Sequence, residues 1–438
     1  MIGRRRLFGA IVVLATGLAA VHAWGQQPAP REAPSRGARE PARDTEQLPP
    51  LVSPGPPITA YPLELLGLLA PPTGRGPVTL VPSIAVSEEY DDNLFSDNRN
   101  RQSDFITGFS PALTLLINQP SFELSAGYSF TGEIYAEHSH LSGPFNRQSF
   151  LATALYRATP RLTLSVSDNF RYDRNTNITA QGPTTGRQES WGNNFTPGLT
   201  WQMTPQTFLS LGAGYQVLRF LGGGGGLDSD TYSFQTVLGH AFTPRFTGTV
   251  GYNFTYIDQL SSEGENSTTH NPTVGFSYRL TQTLRVLASG GPAITEIGGE
   301  TFITPAGTAG LIQEFRWGSM GLQYTRGVSV AGGFGGTNET QTASGTVALT
   351  TLRPGLIVAF SPAYITSESL SNQQGQRVDV QTFTLTLSAT YQIAKYANVF
   401  AGYTFLHQRT GGSSEQQFDA DQNRVRFGLQ FGYPINFD

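Results

Sequence analysis

Apolar and polar residues alternate along most of the chain between Leu80 and Phe437. From Phe246 to Tyr256, aromatic and aliphatic residues occupy one set of alternate positions, and threonine, glycine and asparagine occupy the other. The segments 122–130 and 383–391 repeat the pattern. Successive side chains of a β-strand point to opposite faces, so each segment predicts a strand with one apolar face and one hydroxyl-rich face.

The alternating segments predict about eighteen strands. Their approximate positions are 81–92, 103–117, 122–138, 147–158, 162–174, 188–203, 207–220, 231–243, 246–258, 269–280, 283–296, 304–317, 319–331, 339–352, 355–368, 378–393, 397–408 and 420–437. The number is even, and single-chain bacterial barrels contain an even number of antiparallel strands. The fold class predicted is therefore all-β, a transmembrane antiparallel up-and-down β-barrel.

The connections between the predicted strands are short and long in strict alternation. Short ones include 118–121, 159–161, 204–206, 243–245, 281–283 and 394–396, and long ones include 93–102, 139–146, 175–187, 222–226, 259–268 and 409–419. Outer-membrane barrels have short periplasmic turns and longer external loops. This pattern predicts that both chain termini face the periplasm of a Gram-negative cell.

The last predicted strand alternates without interruption and ends in an aromatic residue followed by Asp438. Its apolar positions after Val425 are Phe427, Leu429, Phe431, Tyr433, Ile435 and Phe437. Such a strand is typical of the segment that the barrel-assembly machinery recognises, and we expect it to serve assembly here. Pro434 fits only where its missing N–H removes no ladder hydrogen bond.

Two segments of different character precede the barrel. Residues 1–23 contain Arg4–Arg6, a short apolar stretch and a small-residue cleavage site, which together indicate a signal peptide. Residues 24–79 contain thirteen of the 28 prolines and predict a mostly disordered periplasmic segment. The barrel is assigned to residues 80–438, so the predicted location is the outer membrane.

Composition and charge agree with a barrel that has a wet interior. Only 14% of the 438 residues are charged and 38% are hydrophobic, whereas globular domains carry about 25% charged residues. The net charge of −4 argues against nucleic acid as a partner. The partners expected are outer-membrane lipid and lipopolysaccharide, the barrel-assembly machinery, and either polysaccharide or small solutes.

No motif predicts catalysis, a cofactor or a metal site. The histidines lie beside no motif that pairs them with a nucleophilic serine. His138 and His140 share a strand face, but two ligands do not make a metal site. The acidic run around Asp91 and Asp97 lacks the ligand spacing of an EF-hand, and solvated loop charges are the favoured interpretation.

Charged residues on the hydroxyl-rich faces are candidates for the lining of a lumen, since arginine facing lipid near the midplane costs about 2–4 kcal/mol. These candidates are Glu123, Glu133, Glu137, Arg171, Asp173, Arg279, Arg285, Glu314, Arg316, Arg424 and Arg426. Acidic residues come early and basic residues late, which predicts opposed charged walls. Two interpretations stay open, a charged conduit and ion pairs that brace the wall.

The start of the first strand carries a family resemblance. The run Glu89-Tyr90-Asp91-Asp92-Asn93-Leu94-Phe95 resembles the opening strand of the β-barrel porin 2 family, which includes outer-membrane proteins found with exopolysaccharide biosynthesis operons. The resemblance implies the fold and the location, and it brings no catalytic residues. Three functions follow in order of preference: a conduit or accessory for exopolysaccharide export, a general or solute-selective diffusion porin, and a structural or adhesive barrel that acts through its loops.

Overall fold

The structure is a computed structural model, and it describes residues 77–174, 188–221, 227–260, 265–330, 336–370, 378–412 and 419–437. The predicted signal peptide, almost all of the proline-rich segment and the Gly222–Gly226 run lie outside these residues. No helix in the described part of the chain is long and apolar enough to cross a membrane.

The described residues form one antiparallel sheet that closes on itself. Its strands are β1 (Val78–Asp91), β2 (Asp104–Asn118), β3 (Phe122–Tyr135), β4 (Gly143–Thr159), β5 (Leu162–Asp173), β6 (Glu189–Gln202), β7 (Thr207–Leu221), β8 (Ser229–Ala241), β9 (Phe246–Gln259), β10 (Ser267–Arg279), β11 (Leu284–Ile297), β12 (Glu300–Phe315), β13 (Gly318–Val330), β14 (Thr337–Leu349), β15 (Leu356–Ser369), β16 (Val378–Ala394), β17 (Ala397–Gly412), β18 (Ala420–Gly432) and β19 (Ile435–Phe437). Each strand from β1 to β17 pairs with the next, and β1 also pairs with β18 and β19. Closure removes the exposed edges that an open sheet would present to lipid.

The last two strands together form one wall element, which makes the barrel eighteen-stranded. Ser83 pairs with Gly432 and Leu80 pairs with Ile435, so the register against β1 continues unchanged across Tyr433 and Pro434. Tyr433 N still donates to Pro82 O at 3.1 Å. Pro434 therefore interrupts the strand without shifting it, and the predicted eighteen-stranded barrel is confirmed.

One end of the barrel, called here the turn end, carries the short connections, and threonine stabilises several of them. In the turn before β7, Thr204 Oγ1 accepts hydrogen bonds from the N–H groups of Gln206 and Thr207. Thr243 and Thr281 act in the same way before β9 and β11. A hydroxyl that caps its own turn offers each hairpin a local geometry that does not depend on the rest of the sheet.

The opposite end, the loop end, carries the long connections with one exception. The β11–β12 connection is only Gly298-Gly299, both with positive φ values of 56° and 87°. The predicted strict alternation of short and long connections is therefore wrong at this hairpin. Two adjacent glycines allow a two-residue turn with left-handed backbone, which the polar pattern alone does not distinguish from a loop.

The outer face is apolar and has a belt of tyrosines toward the loop end. Tyr324, for example, lies opposite Ala343 of β14. Its hydroxyl donates to Oε1 of Gln341, which is two residues closer to the loop end than Ala343, at 3.0 Å. The same arrangement joins Tyr128 to Gln148, Tyr364 to Gln381 and Tyr403 to Asn423. Tyrosines with an apolar ring and a satisfied hydroxyl are typical of the boundary between hydrocarbon and headgroups.

Candidate functional site: the lumen wall and the barrel seam

The inner face of the barrel is polar, and its burial changes along the barrel axis. Toward the loop end, inward-facing side chains such as Thr295, Thr382 and Gln408 are fully buried. Toward the turn end, inner-face residues such as Thr200, Ser277 and Thr390 are half-buried. The inner wall is therefore packed near the loop end, and below it half-buried positions are mixed with buried ones such as Thr79, Thr247 and Ser388.

The contact between the first and last strands, the seam, carries buried ion pairs on the inner face. Arg424 Nη2 lies 2.5 Å from Glu89 Oε1, and Arg424 Nε lies 3.5 Å from Asp91 Oδ2. Arg426 Nε lies 4.0 Å from Glu89 Oε2 and donates to Ser87 Oγ at 3.1 Å. All four charged side chains are less than a tenth exposed, so each depends on its partners for solvation.

Above these ion pairs, the loop after β1 is hydrogen-bonded to the last strand. Asn93, which is fully buried, donates from Nδ2 to Asp421 O at 2.8 Å. Gln422 Nε2 donates to both carboxylate oxygens of Asp91, and Asn423 N donates to Asp92 Oδ1 at 2.6 Å. The interpretation of this run as solvated loop charges is wrong for Asp91 and Asn93, because both are buried against β18.

A second buried cluster lies next to the seam on β3, β4 and β5. Arg147 Nη2 lies 2.8 Å from Glu133 Oε1, and its Nε lies 4.0 Å from Asp173 Oδ2. Tyr135 Oη donates to Glu133 Oε2 at 2.7 Å. A recess that extends from this cluster to the seam is lined by the small residues Ser83, Ala85, Ser110 and Ala112 and by Arg171 and Arg426.

The predicted opposition of acidic and basic walls is wrong. Glu89 and Asp91 come from the first strand and Arg424 and Arg426 from the last, yet the four side chains are neighbours. A closed barrel brings the two ends of the chain together, so charges that are far apart in sequence become paired on one wall. At the seam, the acidic and basic side chains therefore form ion pairs that brace the wall, and they do not form two oppositely charged sides of a pore.

The remaining inward charges lie near the turn end and are more exposed. Glu123 and Arg157 form an exposed pair at 2.6 Å. Arg279 and Arg285 lie opposite each other on β10 and β11, half-buried on the inner face. Glu314 is an exposed residue on the inner face of β12, one position before its end.

Two predicted lumen residues lie outside the strands. Glu137 follows the end of β3 and is exposed, because Asp104 accepts hydrogen bonds from the N–H groups of Ala136, Glu137 and His138 and draws the chain out of the sheet. Arg316 is exposed in the turn between β12 and β13. Their predicted places on strand faces are therefore wrong.

The two histidines weighed as metal ligands have different surroundings. Both ring nitrogens of His138 have protein partners, Asp104 Oδ2 and Gln102 Oε1, each at 2.8 Å. His140 lies in a short 3-10 turn and is exposed. Within the described residues, no group of three or more histidine or acidic side chains could hold a metal ion.

All six apolar residues assigned to the C-terminal strand lie on the outer face. Exposure ranges from 39% for Ile435 to 59% for Phe427, and the ring of Tyr433 contacts that of Tyr396 at 4.9 Å between centroids. Their role in assembly stays a prediction.

Sequence reasoning missed Glu89, Asp91 and Arg147 as members of the charged clusters. The signal was present in the alternation, since Glu89 and Asp91 share the parity of Ser87 and Arg147 shares that of Ser149. The alternation does not show which strand lies beside β1, because that neighbour, β18, is defined only when the barrel closes.

Comparison with known proteins yields similar folds at low sequence identity. No family model matches the chain, and no curated protein matches it. Among solved structures, OccAB4 of Acinetobacter baumannii is 12% identical with a TM-score of 0.40, over 82% of this chain and 98% of that one. OccK5 (OpdH) of Pseudomonas aeruginosa is 11% identical with a TM-score of 0.43, over 82% and 98%. The FrpB iron transporter of Neisseria meningitidis is 8% identical with a TM-score of 0.43, over 80% and 82%. At these values, the barrel assignment rests on the strand pairings of this chain.

Proposed function

We propose that the protein is a diffusion channel of the Gram-negative outer membrane that passes small polar solutes through its lumen. The observation that supports this most directly is the inner wall below the loop end, which is polar and contains many half-buried positions while the outer wall is apolar. Such a wall favours water inside the barrel. The packed loop end then acts as the selective part of the path.

This proposal places the porin ahead of the exopolysaccharide conduit that the family resemblance favours. The half-buried inner positions are mainly serine, threonine, asparagine, glutamine and glycine, with the charges gathered near the seam and the turn end. These side chains form hydrogen bonds with water and with many small solutes, and they do not single out a sugar polymer. Both chain termini are proposed to face the periplasm, with the loop end outside.

The test is transport by the purified, folded barrel. In planar bilayers it should give discrete conductance steps, and in proteoliposomes neutral sugars should enter at rates that fall steeply from mono- to tetrasaccharides. The same preparation after heat unfolding provides the control. A folded barrel that neither conducts nor admits a monosaccharide would overturn the proposal in favour of a structural barrel, and entry of long dextrans would favour the conduit.

A further inference from the structure

Charged residues are distributed unequally between the two ends of the barrel. Within three residues of the connections at the turn end, the acidic residues among those described are Glu123 and Glu314, and both lie on the inner face. The cationic residues in the same segments are Arg157, Arg161, Arg245, Arg279, Arg285, Arg316, Arg353 and Lys395. In the described part of the chain, the outer rim of the turn end therefore carries cations without acidic neighbours.

Three successive connections of this rim each contain an exposed cation. Arg316 lies in the β12–β13 turn, Arg353 in the β14–β15 turn and Lys395 in the β16–β17 turn. These three connections are called here the turn-end arc. Neighbouring turns of the arc are two strands apart, which corresponds to about 10 Å. Positive charge is therefore repeated at regular intervals along one side of the rim.

Two cations of the arc lie against tyrosine rings on the outer side of the wall. Arg353 Cζ is 4.8 Å from the centre of the Tyr391 ring, and Lys395 Nζ is 4.9 Å from that of Tyr396. Tyr391 is on the outer face of β16, and the ring of Tyr396 contacts that of Tyr433 on the outer face of the last strand. A ring face attracts a cation at these distances, so both charges are held on the membrane-facing side.

The arc also exposes large apolar groups next to its charges. The rings of Phe315 and Trp317, on either side of Arg316 in sequence, stack at 4.4 Å and are 38% and 42% exposed. Leu352 and Ile393 are 58% and 51% exposed. Exposed aromatic rings of this kind are enriched where headgroups meet hydrocarbon. The surface thus offers apolar contact and positive charge side by side.

Backbone hydrogen bonds fix the three turns relative to one another. Thr350 N donates to Trp317 O at 3.0 Å, which joins the first turn of the arc to the second. Gln392 N donates to Gly355 O at 2.9 Å, which joins the second turn to the strand that leads into the third. The spacing of the cations is therefore set by the sheet before any ligand binds, which lowers the ordering cost of binding.

We propose that the turn-end arc binds anionic phospholipid of the adjacent leaflet. Phosphate groups contact Arg316, Arg353 and Lys395, and acyl chains lie against Phe315 and Ile393. An anionic lipid surface attracts lysine and arginine within a Debye length, whereas a zwitterionic headgroup carries its own compensating cation. A lipid fits better than an acidic protein segment, because the exposed rings face the membrane. The inference needs the barrel but not an open lumen, so failure of the conductance test leaves it standing.

Trp317 provides a local probe of the lipid beside the arc. The chain has four tryptophans, and the variant Trp24→Phe/Trp191→Phe/Trp201→Phe keeps Trp317 alone. In phosphatidylcholine vesicles with equal fractions of brominated phosphatidylglycerol or brominated phosphatidylcholine, the anionic lipid should quench Trp317 severalfold more effectively. This preference should shrink with added salt, because the Debye length falls from about 10 Å at 0.1 M to about 3 Å at 1 M.

The charges of the arc are tested in the same single-tryptophan barrel. Arg316→Gln/Arg353→Gln/Lys395→Gln should make quenching by the two brominated lipids equal, because the apolar contacts remain and the cations do not. If this variant does not fold, the salt dependence of the parent barrel decides between the charges and the rings.

The matched control is Arg157→Gln/Arg279→Gln/Arg285→Gln. It removes the same number of cations from the same end of the barrel, but from the inner face, and should keep the preference for the anionic lipid. Equal quenching of the parent by the two lipids, a preference that high salt leaves unchanged, or an equal loss in both variants would overturn the proposal.

Discussion

Glu89 Oε1 and Arg424 Nη2 lie 2.5 Å apart although 335 positions separate the two residues. The pair joins the first strand to the last, and both side chains are buried on the inner face. It gives a physical role to the run from Glu89 to Phe95 that carries the family resemblance. Glu89 and Asp91 hold Arg424, and Asn93 closes the loop against β18.

Removal of one charge from this pair should destabilise the barrel. Arg424→Gln leaves Glu89 and Asp91 buried without their main partner, and breaking a buried pair typically costs about 3–5 kcal/mol. The measurement is urea unfolding in detergent, followed by the heat-sensitive shift in gel migration. Arg157→Gln is the matched control, because its partner Glu123 is exposed and such pairs contribute about 0.2–1 kcal/mol. Equal losses in the two variants would contradict a special role for the seam.

The inward arginines of the turn end should set ion selectivity. Arg279→Gln/Arg285→Gln removes two positive charges from the half-buried inner face, so selectivity should move toward cations, less so at high salt where screening grows. Reversal potentials in a salt gradient measure the change. Arg326→Gln on the outer face is the control and should leave them unaltered. If both variants behave alike, the turn-end arginines do not line the path.

The outer face of the last strand should matter for assembly more than an equally apolar face elsewhere. Tyr433→Ala/Phe437→Ala is expected to reduce the yield of folded barrel in cells severalfold while unfolded chain accumulates. The control is Phe234→Ala/Leu238→Ala on the outer face of β8, whose side chains have similar exposure, 43% and 47%. Equal yields from the two variants would show that the last strand contributes only ordinary lipid contact.

The tyrosine belt should contribute through its hydroxyls as well as its rings. Tyr324→Phe and Tyr364→Phe each remove one hydrogen bond to a glutamine, with an expected loss of about 0.5–1.5 kcal/mol. Tyr391→Phe is the control, because Tyr391 meets Arg353 through its ring. Unfolding midpoints in urea provide the comparison. A loss for Tyr391→Phe as large as for the other two would assign the effect to the ring.

The strands could be predicted from sequence because each has its own alternation and its own turn residues. β3 is the instructive error, since the apparent pattern continues to His138 while the strand ends at Tyr135. The cause lies on another strand, in Asp104, which captures three backbone N–H groups. The alternation also predicted correctly that Arg279 and Arg424 lie on the inner face of their strands. The partner of β1 and the early end of the β12–β13 pairing beside Gly307 could not be predicted, because both depend on which residues of different strands come to lie opposite each other.

The seam can form only when the last strand has been made, so it differs between a complete chain and a truncated one. Every other pairing joins strands adjacent in sequence, and turns such as that of Thr243 can form as soon as both strands exist. The β1–β18 contact requires the whole chain. A product that stops before β18 leaves Glu89 and Asp91 without a guanidinium and β1 with an unpaired edge. The run from Glu89 to Phe95 therefore has all of its partners only in a chain that includes β18, and we expect truncated products to be cleaved by proteases more readily.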